Sequence, residues 1–440
     1  MLKIIIINLF FLIIFSREVL SFSSSSYLIA NSATYNGDYD VASKRYDELK
    51  HSFTENPYEL KKQLVAFVNI NDFKKAYTVA LKITNKYLSD QESWIIRLAY
   101  ATFTNNNKEF EIFKLVKDQE NLKVVEYIFY SNNKRVKDKI LISEKVYALV
   151  QSQDGTNNIY FDNHYFLLFY LNLALFLNES HYESMFIKAQ VYQHIGKNVE
   201  AEKILNNIDV SHNLYLDAQK SIALLKNNIG KSNESIKIIK KLLILYPNDL
   251  AINVFLADIY RFNKKYEKSI KILSKIINQD IFTNDLWKIY YKRAISYERS
   301  KDWENAEKDL IKSLDLNPGN PQVLNYLAYG WIEQNKNLAK SLKMLEEAAI
   351  KNPDSHYILD SLGWAYYKQK KLSKAADILE KVLDMAPGEA ISIDHLGDIY
   401  FALGRKREGF YMWKQALDLA TDEDEIKEKL QIKIEKYNEG

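Results

Sequence analysis

Residues 359–387 read LDSLGWAYYKQKKLSKAADILEKVLDMAP, and residues 393–413 read IDHLGDIYFALGRKREGFYMW. A large apolar residue, a Leu-Gly pair and a Tyr in the first stretch recur 34 residues later in the second. Each stretch then has a small residue followed four positions later by a large apolar one, Ala375 with Leu379 and Gly409 with Trp413. A fixed period of this length indicates a repeated helical unit, so the sequence predicts an array of helix pairs rather than one compact core.

The small residue marks the second helix of each predicted pair. The two helices of a hairpin cross most closely at this position, and a larger side chain would push them apart. The small residues, spaced by 34 to 37 within two runs, are Ala42, Ala76, Ala201, Ser235, Ser269, Ala306, Ser341, Ala375 and Gly409. The apolar residues four positions on, which share a helix face with them, are Tyr46, Ala80, Leu205, Ile239, Leu273, Leu310, Leu345, Leu379 and Trp413.

The first helices and the connections show the same period. A Tyr occupies one slot of the first helix and is predicted to fill space between helices; the residues are Tyr192, Tyr260, Tyr297, Tyr366 and Tyr400. Prolines are predicted to separate successive pairs, because proline stops a helix; these are Pro57, Pro247, Pro318, Pro353 and Pro387. Turn signals within pairs lie at residues 36–37, 71–72, 195–197 and 403–405.

This pattern resembles the tetratricopeptide repeat, which implies an all-α solenoid, a right-handed superhelix of helix-turn-helix repeats with a concave wall. An N-terminal signal peptide is expected to precede it. The predicted segments are a signal peptide (1–21), N-terminal repeats (22–104), degenerate helical repeats (105–181), a C-terminal array (182–421) and a charged capping helix (422–440) with an apolar stripe at Ile426, Leu430 and Ile434. Each pair is expected to contact only its neighbours along the chain.

The degenerate segment keeps apolar helical stretches but loses the small-residue anchor. Helices are predicted at residues 122–130, 140–150 and 165–176, and we interpret the segment as two helix pairs. The loop at residues 151–158, rich in Asp, Gly, Thr and Asn, is the candidate hinge of the array.

Composition excludes several classes of protein. Hydrophobic residues make up 47% of the 440, which excludes a disordered chain, and 6 Pro with 12 Gly provide few of the turns that a sheet protein needs. A net charge of +3 is too small for the basic footprint of a nucleic-acid binder, so no nucleic-acid partner is expected. The chain has no Cys, and therefore no disulfide, thiolate zinc site or lipidated Cys.

The first residues resemble a secretory leader. Lys3 precedes an apolar stretch at residues 4–15, which is short for a membrane-spanning helix. Cleavage is predicted near Ser21. Arg17 and Glu18 stand unusually close to the apolar stretch, so an uncleaved N-terminal anchor is the alternative, and membrane association is expected only through this segment. Export to the periplasm or cell envelope of a Gram-negative bacterium is the expected localisation.

Three blocks in the last third carry a closer resemblance. They are residues 323–329 (VLNYLAY), 359–367 (LDSLGWAYY) and 394–398 (DHLGD). They resemble exported tetratricopeptide envelope proteins of Gram-negative, mainly alphaproteobacterial, bacteria. The resemblance implies a periplasmic or envelope-associated binding protein. Related lipoproteins are adaptors for a carboxyl-terminal processing protease, so such a protease, or envelope assembly machinery, is the expected partner; the missing lipidated Cys argues against a lipid anchor.

No catalytic or metal motif stands out. Two-His zinc spacing, phosphate-binding Gly-rich loops and Gly-x-Ser-x-Gly elbows do not occur, so we expect a scaffold or adaptor without enzymatic activity, cofactor or metal. His395 beside Asp394 and Asp398 is interpreted as a hydrogen-bonded His rather than a ligand. The alternatives are an accessory subunit of a periplasmic protease or other envelope hydrolase, a hydrolase using His164 or Asp162 in the degenerate segment, or a spacer between envelope layers.

The resemblance places the binding wall on the first helices. Carried over residue by residue, the protein-binding groove comprises Tyr326, Glu333, Tyr357, Asp360, Trp364, Tyr367, Asp394, Asp398 and Phe401. Exposed aromatic rings with acidic neighbours are suited to binding peptide. Asp360 and Trp364 stand where chaperone-type grooves use Lys and Asn to hold a terminal carboxylate, so another ligand is predicted. The sequence leaves open whether Trp364 and Phe401 face a partner or pack between repeats.

Overall fold

The structure, a computed structural model, describes residues 25–49, 56–131, 134–152, 164–279, 284–421 and 426–438. These residues form α-helices in paired stacks and one small antiparallel hairpin. The helices are α1 (25–35), α2 (Tyr39–Glu48), α3 (Pro57–Asn69), α4 (Phe73–Lys86), α5 (Gln91–Thr104), α6 (Asn107–Lys114), α7 (Lys123–Phe129), α8 (Lys139–Ser152), α9 (His164–Leu177), α10 (Tyr182–His194), α11 (Asn198–Leu205), α12 (Tyr215–Asn228), α13 (Ser232–Leu245), α14 (Leu250–Phe262), α15 (Tyr266–Ile277), α16 (Leu286–Arg299), α17 (Trp303–Leu316), α18 (Pro321–Glu333), α19 (Leu338–Lys351), α20 (His356–Lys368), α21 (Leu372–Met385), α22 (Ala390–Ala402), α23 (Lys406–Leu419) and α24 (Lys427–Asn438). The strands are β1 (Tyr130–Ser131) and β2 (Lys134–Arg135), and a 3-10 turn spans Glu120–Leu122.

The helices begin and end at proline, capping and turn residues of the sequence. Pro57 begins α3, and the Asn56 side chain caps it by accepting from the Tyr58 amide. Turns within pairs use left-handed residues, as at Gly404 with φ 82° and Lys370 with φ 61°. Glycine adopts this conformation without strain, whereas Lys370 shows that the flanking helices can impose it on a residue that carries a Cβ.

The chain divides into two compact units, residues 1–238 and 239–440, and the division falls within α13. It therefore lies inside the segment that we predicted as one C-terminal array. In the second unit the described pairs are α14–α15, α16–α17, α18–α19, α20–α21 and α22–α23, followed by α24.

The small-residue anchors of the second unit are buried as predicted. Ser269, Ala306, Ser341 and Ala375 are each no more than 1% exposed. The close approach is most direct at Gly409, where an added Cβ would lie 2.7 Å from the Gly397 carbonyl oxygen. That oxygen belongs to the backbone of α22, which moves away only if the helices separate. The anchors therefore set the distance between the two helices of a pair.

The recurring Tyr position of the first helices is only partly buried. Tyr260 and Tyr400 are buried, while Tyr192, Tyr297 and Tyr366 are half-buried. The hydroxyl of Tyr366 donates to Glu346 at 2.8 Å, and that of Tyr400 donates to Glu380 at 2.7 Å. Each bond links a first helix to the second helix of the preceding pair.

In the first unit the expectation of contacts only between neighbouring pairs is wrong. One continuous core runs from Ala30 to Val191, because α9 is apolar on every side and packs against α3, α5, α8 and α10. Phe176 of α9 stacks on Phe73 of α4, with ring centroids 4.0 Å apart. Lys197 also donates to the Gly37 carbonyl at 2.5 Å, across 160 positions of sequence.

The degenerate segment forms α7 to α9 close to the predicted bounds, but Tyr130 lies in β1 rather than in a helix, and α6 precedes them where no helix was predicted. It also keeps an anchor that the spacing did not reveal. The Ser143 hydroxyl of α8 is fully buried and donates to the Ala174 carbonyl of α9 at 2.9 Å. Of the candidate hinge, residues 151–152 end α8 and residues 153–158 lie outside the described residues.

The anchor distance can be tested by enlarging Gly409. Gly409→Val should destabilise the α22–α23 pair by about 1–3 kcal/mol, because the new side chain overpacks two helix backbones. Hydrogen exchange of peptides from residues 390–419 measures this change. Gly388→Val is the control, since a Cβ there meets no atom within 4 Å; equal effects of the two substitutions would contradict the proposed constraint.

The α3–α9 contact contains a second testable feature. The side chain of Asn172 donates to that of Asn69 at 2.8 Å, both residues are buried, and the other amide nitrogen and oxygen of the pair have no partner among the described residues. Asn172→Leu should destabilise the first unit by about 1–3 kcal/mol, because it leaves Asn69 buried without a partner. The double change Asn69→Leu/Asn172→Leu should restore most of the loss. Thermal unfolding followed by circular dichroism measures the stability of the single and double variants. Destabilisations that simply add in the double variant would contradict the prediction.

Candidate functional site

Successive first helices of the second unit are joined by side-chain bonds. We call α14, α16, α18, α20 and α22 the first-helix wall, and the bonds along it, including the last one to α24, the ladder. In every rung an acid of the earlier helix accepts from a donor of the later helix. The rungs are Asp258 with Lys292 (2.5 Å), Glu298 with Tyr326 (2.9 Å), Glu333 with Trp364 (2.7 Å), Asp360 with His395 (3.1 Å) and Asp394 with Lys433 (2.5 Å).

Trp364, whose role the sequence left open, packs between repeats. Its ring stacks on Tyr367 with centroids 4.7 Å apart and on His395 with centroids 4.1 Å apart, and the residue is 8% exposed. Of the two alternatives that the sequence left open for Trp364, the structure favours packing between repeats. The next first helix covers the ring.

The three Asp residues of the predicted groove are also covered, wholly or in part. Asp360 and Asp394 are 7% and 8% exposed, and Asp398 is half-buried while accepting from Trp413 Nε1 at 2.9 Å. Buried carboxylates need charge-assisted partners, and the ladder provides them. Asp360, Asp394 and Asp398 thus hold neighbouring helices together.

The remaining predicted groove residues keep open surface. Tyr357 is 44% exposed and Glu333 is exposed. Tyr326 and Tyr367 are half-buried, and Phe401 is half-buried against Trp413 with ring centroids 5.0 Å apart. The accessible part of the wall is therefore aromatic and acidic.

Burial and pairing change the titration of this cluster. Burial lowers the pKa of His395, but the adjacent Asp360 outweighs it, so the pKa of His395 is raised. Burial raises the pKa of Asp394, against the opposing effect of Lys433. The cluster therefore favours a protonated His395 between Asp360, Asp394 and Asp398.

The metal interpretation of His395 finds no support in its geometry, because the imidazole pairs with Asp360 of the neighbouring helix. The described parts of the chain contain no group of three His, Cys, Asp or Glu that could hold a metal ion. None of the helices in the described ranges combines the length and apolarity needed to cross a bilayer. His164 lies against the turn at Gly37, and Asp162 lies outside the described residues.

Two buried Arg networks were missed by the sequence analysis. Arg293 of α16 makes two bonds of 2.7 Å to Asp309 of α17 and donates to Ser274 of α15 at 2.9 Å. In the first unit Arg97 of α5 likewise joins Glu109 of α6 to Thr84 of α4, each at 2.7 Å. Arg97 stands in an apolar stretch of α5, but Arg293 directly follows Lys292, so the two share no sequence signal that would have revealed them.

Residues 333–390 and residues 288–320 match the tetratricopeptide repeat family. A stretch of 127 residues, 28% of this chain, is 31% identical to a TPR repeat-containing protein of Pseudomonas aeruginosa and spans 21% of that protein's length. Similar solved structures include a tetratricopeptide repeat protein from Parabacteroides merdae (TM-score 0.46, 19% identity, 57% of this chain and 97% of that chain). Yeast Tom70 is similar over 96% of this chain and 95% of its own, with a TM-score of 0.44 and 14% identity.

The pairing of His395 makes the second unit sensitive to pH. Because the folded pKa of His395 is raised, its stabilising contribution is fully present below about pH 6.5, the unfolded value, and is lost as the pH rises through the folded value. Between pH 6 and pH 8.5 the melting midpoint should therefore fall more in the wild type than in His395→Asn, by about 2–4 °C, the shift that 1 kcal/mol produces in a domain of this size. An equal change of the melting midpoint with pH in the two proteins would contradict this assignment.

Proposed function

We propose that this chain, a tetratricopeptide repeat protein, is a non-enzymatic scaffold or adaptor that binds partner polypeptides along the first-helix wall of its second unit. Proteins built from these repeats generally mediate protein–protein interactions, and their scaffolds are typically non-enzymatic. The family match falls on residues 288–320 and 333–390, which include α20 and most of α16 of this wall.

The observation that carries the proposal is the open aromatic and acidic surface on a rigidly spaced wall. Tyr357 is 44% exposed, and Ile391 one repeat later is 36% exposed. Both stand one residue into the first turn of their helices, and Glu333 adds an exposed acid at the end of α18. Aromatic and aliphatic side chains on a fixed backbone bind with little loss of conformational entropy.

Two sets of residues then have different roles. Tyr326, Glu333, Tyr357, Tyr367 and Phe401 keep accessible surface and are proposed to contact the partner. The covered residues Asp360, Trp364, Asp394 and Asp398 are proposed to fix the spacing of that surface. This division replaces the single groove that the sequence predicted.

The proposed site of action is the cell envelope. Lys3 followed by the apolar residues 4–15 supports export, and these positions lie outside the described residues. An envelope protease of the carboxyl-terminal processing class, or assembly machinery of the envelope, is the proposed class of partner, on the resemblance carried by residues 323–329, 359–367 and 394–398.

A photo-crosslinking amino acid placed at Tyr357 tests both parts of the proposal. In intact cells it should yield a discrete adduct with a partner protein in the periplasmic fraction, and Glu333→Lys should weaken that adduct at least threefold. The control position is Ile350 of α19, which is 80% exposed but lies on a second helix. Adducts of equal yield from the two positions would refute the wall as the binding surface, and an adduct confined to the cytoplasm would refute export.

A further inference from the structure

Helix α24 lies on α22 and α23 as the first helix of one more pair would. Its Leu430 is fully buried in a cluster with Ala390, Ile393, Trp413 and Ala416. Its Lys433 forms the last rung of the ladder with Asp394, as His395 of α22 does with Asp360 of α20. No second helix follows α24 in the described residues to complete the pair.

The face that receives α24 holds one lysine of that helix between two carboxylates and an aromatic ring. Lys433 Nζ lies 2.5 Å from an oxygen of Asp394 and 2.6 Å from one of Asp398, and it stands 5.6 Å from the centre of the Trp413 ring. The two carboxylates are one helical turn apart on α22, so a single ammonium reaches both. Burial acts against the charge of Lys433, but the two acids outweigh it and raise the pKa of this amine.

This face has little tolerance for an occupant without a cation. Without Lys433, two carboxylates one turn apart would stay partly buried and repel each other, and both would lose their cationic partner, with Asp398 keeping only the Trp413 Nε1 donor. Every other rung of the ladder also pairs an acid of the earlier helix with a donor of the later one. Whatever covers α22 must therefore bring a donor, and two acids favour a full positive charge.

The attachment of α24 is slight compared with that of α22. Leu430 is the one fully buried side chain among residues 427–437, whereas α22 buries nine of its residues. Elements held by few buried contacts open at low free energy. Helix α24 is therefore the first-helix position that a competing segment can occupy most readily.

We infer that the face formed by α22 and α23 is a docking site for a lysine-bearing amphipathic helix, that α24 is its built-in occupant, and that a partner protein displaces α24 with such a helix. The recognised pattern is a leucine with a lysine three positions later, as in Leu430 and Lys433. This inference rests on the proposed function, because it identifies the chemistry of the partner. It adds a defined pocket, at Asp394, Asp398 and Trp413, to the exposed wall.

Fluorescence polarisation with the full chain and a labelled synthetic peptide of residues 427–438 tests the site. The wild-type chain should bind this peptide weakly, because its own α24 competes. The variant Lys433→Met, which keeps the length of the side chain but removes its charge, should bind the peptide at least tenfold more tightly. Lys436→Met changes an exposed lysine of the same helix and is the matched control, expected to behave as wild type.

A second peptide tests the selection for lysine. This second peptide carries methionine at the position that corresponds to Lys433. It should bind the Lys433→Met chain at least tenfold more weakly than the unaltered peptide does. Equal affinity of the two peptides, or equal binding by wild type and Lys433→Met, would overturn the inference. If the variant does not fold, hydrogen exchange of the wild-type chain provides the test. An excess of the unaltered peptide should accelerate exchange in α24. Unchanged protection of α24 would overturn the inference.

Two further outcomes separate the possible occupants. A wild-type dimer that dissociates when the peptide is added would assign the site to α24 of a second copy and overturn the partner assignment. Loss of peptide binding with the Tyr357 adduct intact would reject the lysine site and leave the scaffold proposal standing. Lysine-selective binding without a Tyr357 adduct would reject the wall as the binding surface while the docking site stands.

Discussion

The close crossing of the two helices in each pair is the constraint on which the second unit depends. At Gly409 the backbone of α23 approaches the backbone of α22 so closely that even a methyl group would meet the Gly397 carbonyl at 2.7 Å. At Gly363 an added Cβ would collide with the side chain of Leu379. The distance within each pair is thereby set. The stacking of one pair on the next is then determined by the side chains on the outer faces of the pairs, because packed helices do not deform continuously.

One consequence is that successive first helices lie near enough for direct side-chain bonds. A groove inferred position by position from the repeat treats these side chains as free, yet Trp364 is covered by His395, and Asp360 pairs with the same residue. The rungs share one polarity, with the acid always on the earlier helix. The wall is therefore a bonded layer with a smaller exposed surface above it, where Tyr357 and Glu333 remain accessible.

The sequence predicted the pairs, their boundaries and their anchors because these depend on local spacing. Residues such as Ala375 and Leu379 lie on one helix face by geometry alone, and the structure confirms that both are buried. The covering of Trp364 could not be predicted in this way, since it depends on the side chain that stands opposite on the next first helix. Packing of α9 against α3 also escaped prediction, because residues 69 and 172 are 103 positions apart and no local spacing relates them. Likewise, Ser143 is a buried small residue in the segment where no anchor was predicted, and its hydroxyl donates to the Ala174 carbonyl.

The two units show different ways of satisfying buried polar groups, and the difference bears on which unit can exchange a helix. In the first unit the ends of the core are tied to distant parts of the chain, through Asn69 with Asn172 and through Lys197 with the Gly37 carbonyl, so removing one helix would expose several others. In the second unit each rung joins only adjacent first helices, and the last rung depends on Lys433 alone. Such an array loses only one rung of its ladder when α24 leaves, and an ammonium from another helix can restore that rung. The directional ladder thus places the point of exchange at α24 rather than within the wall.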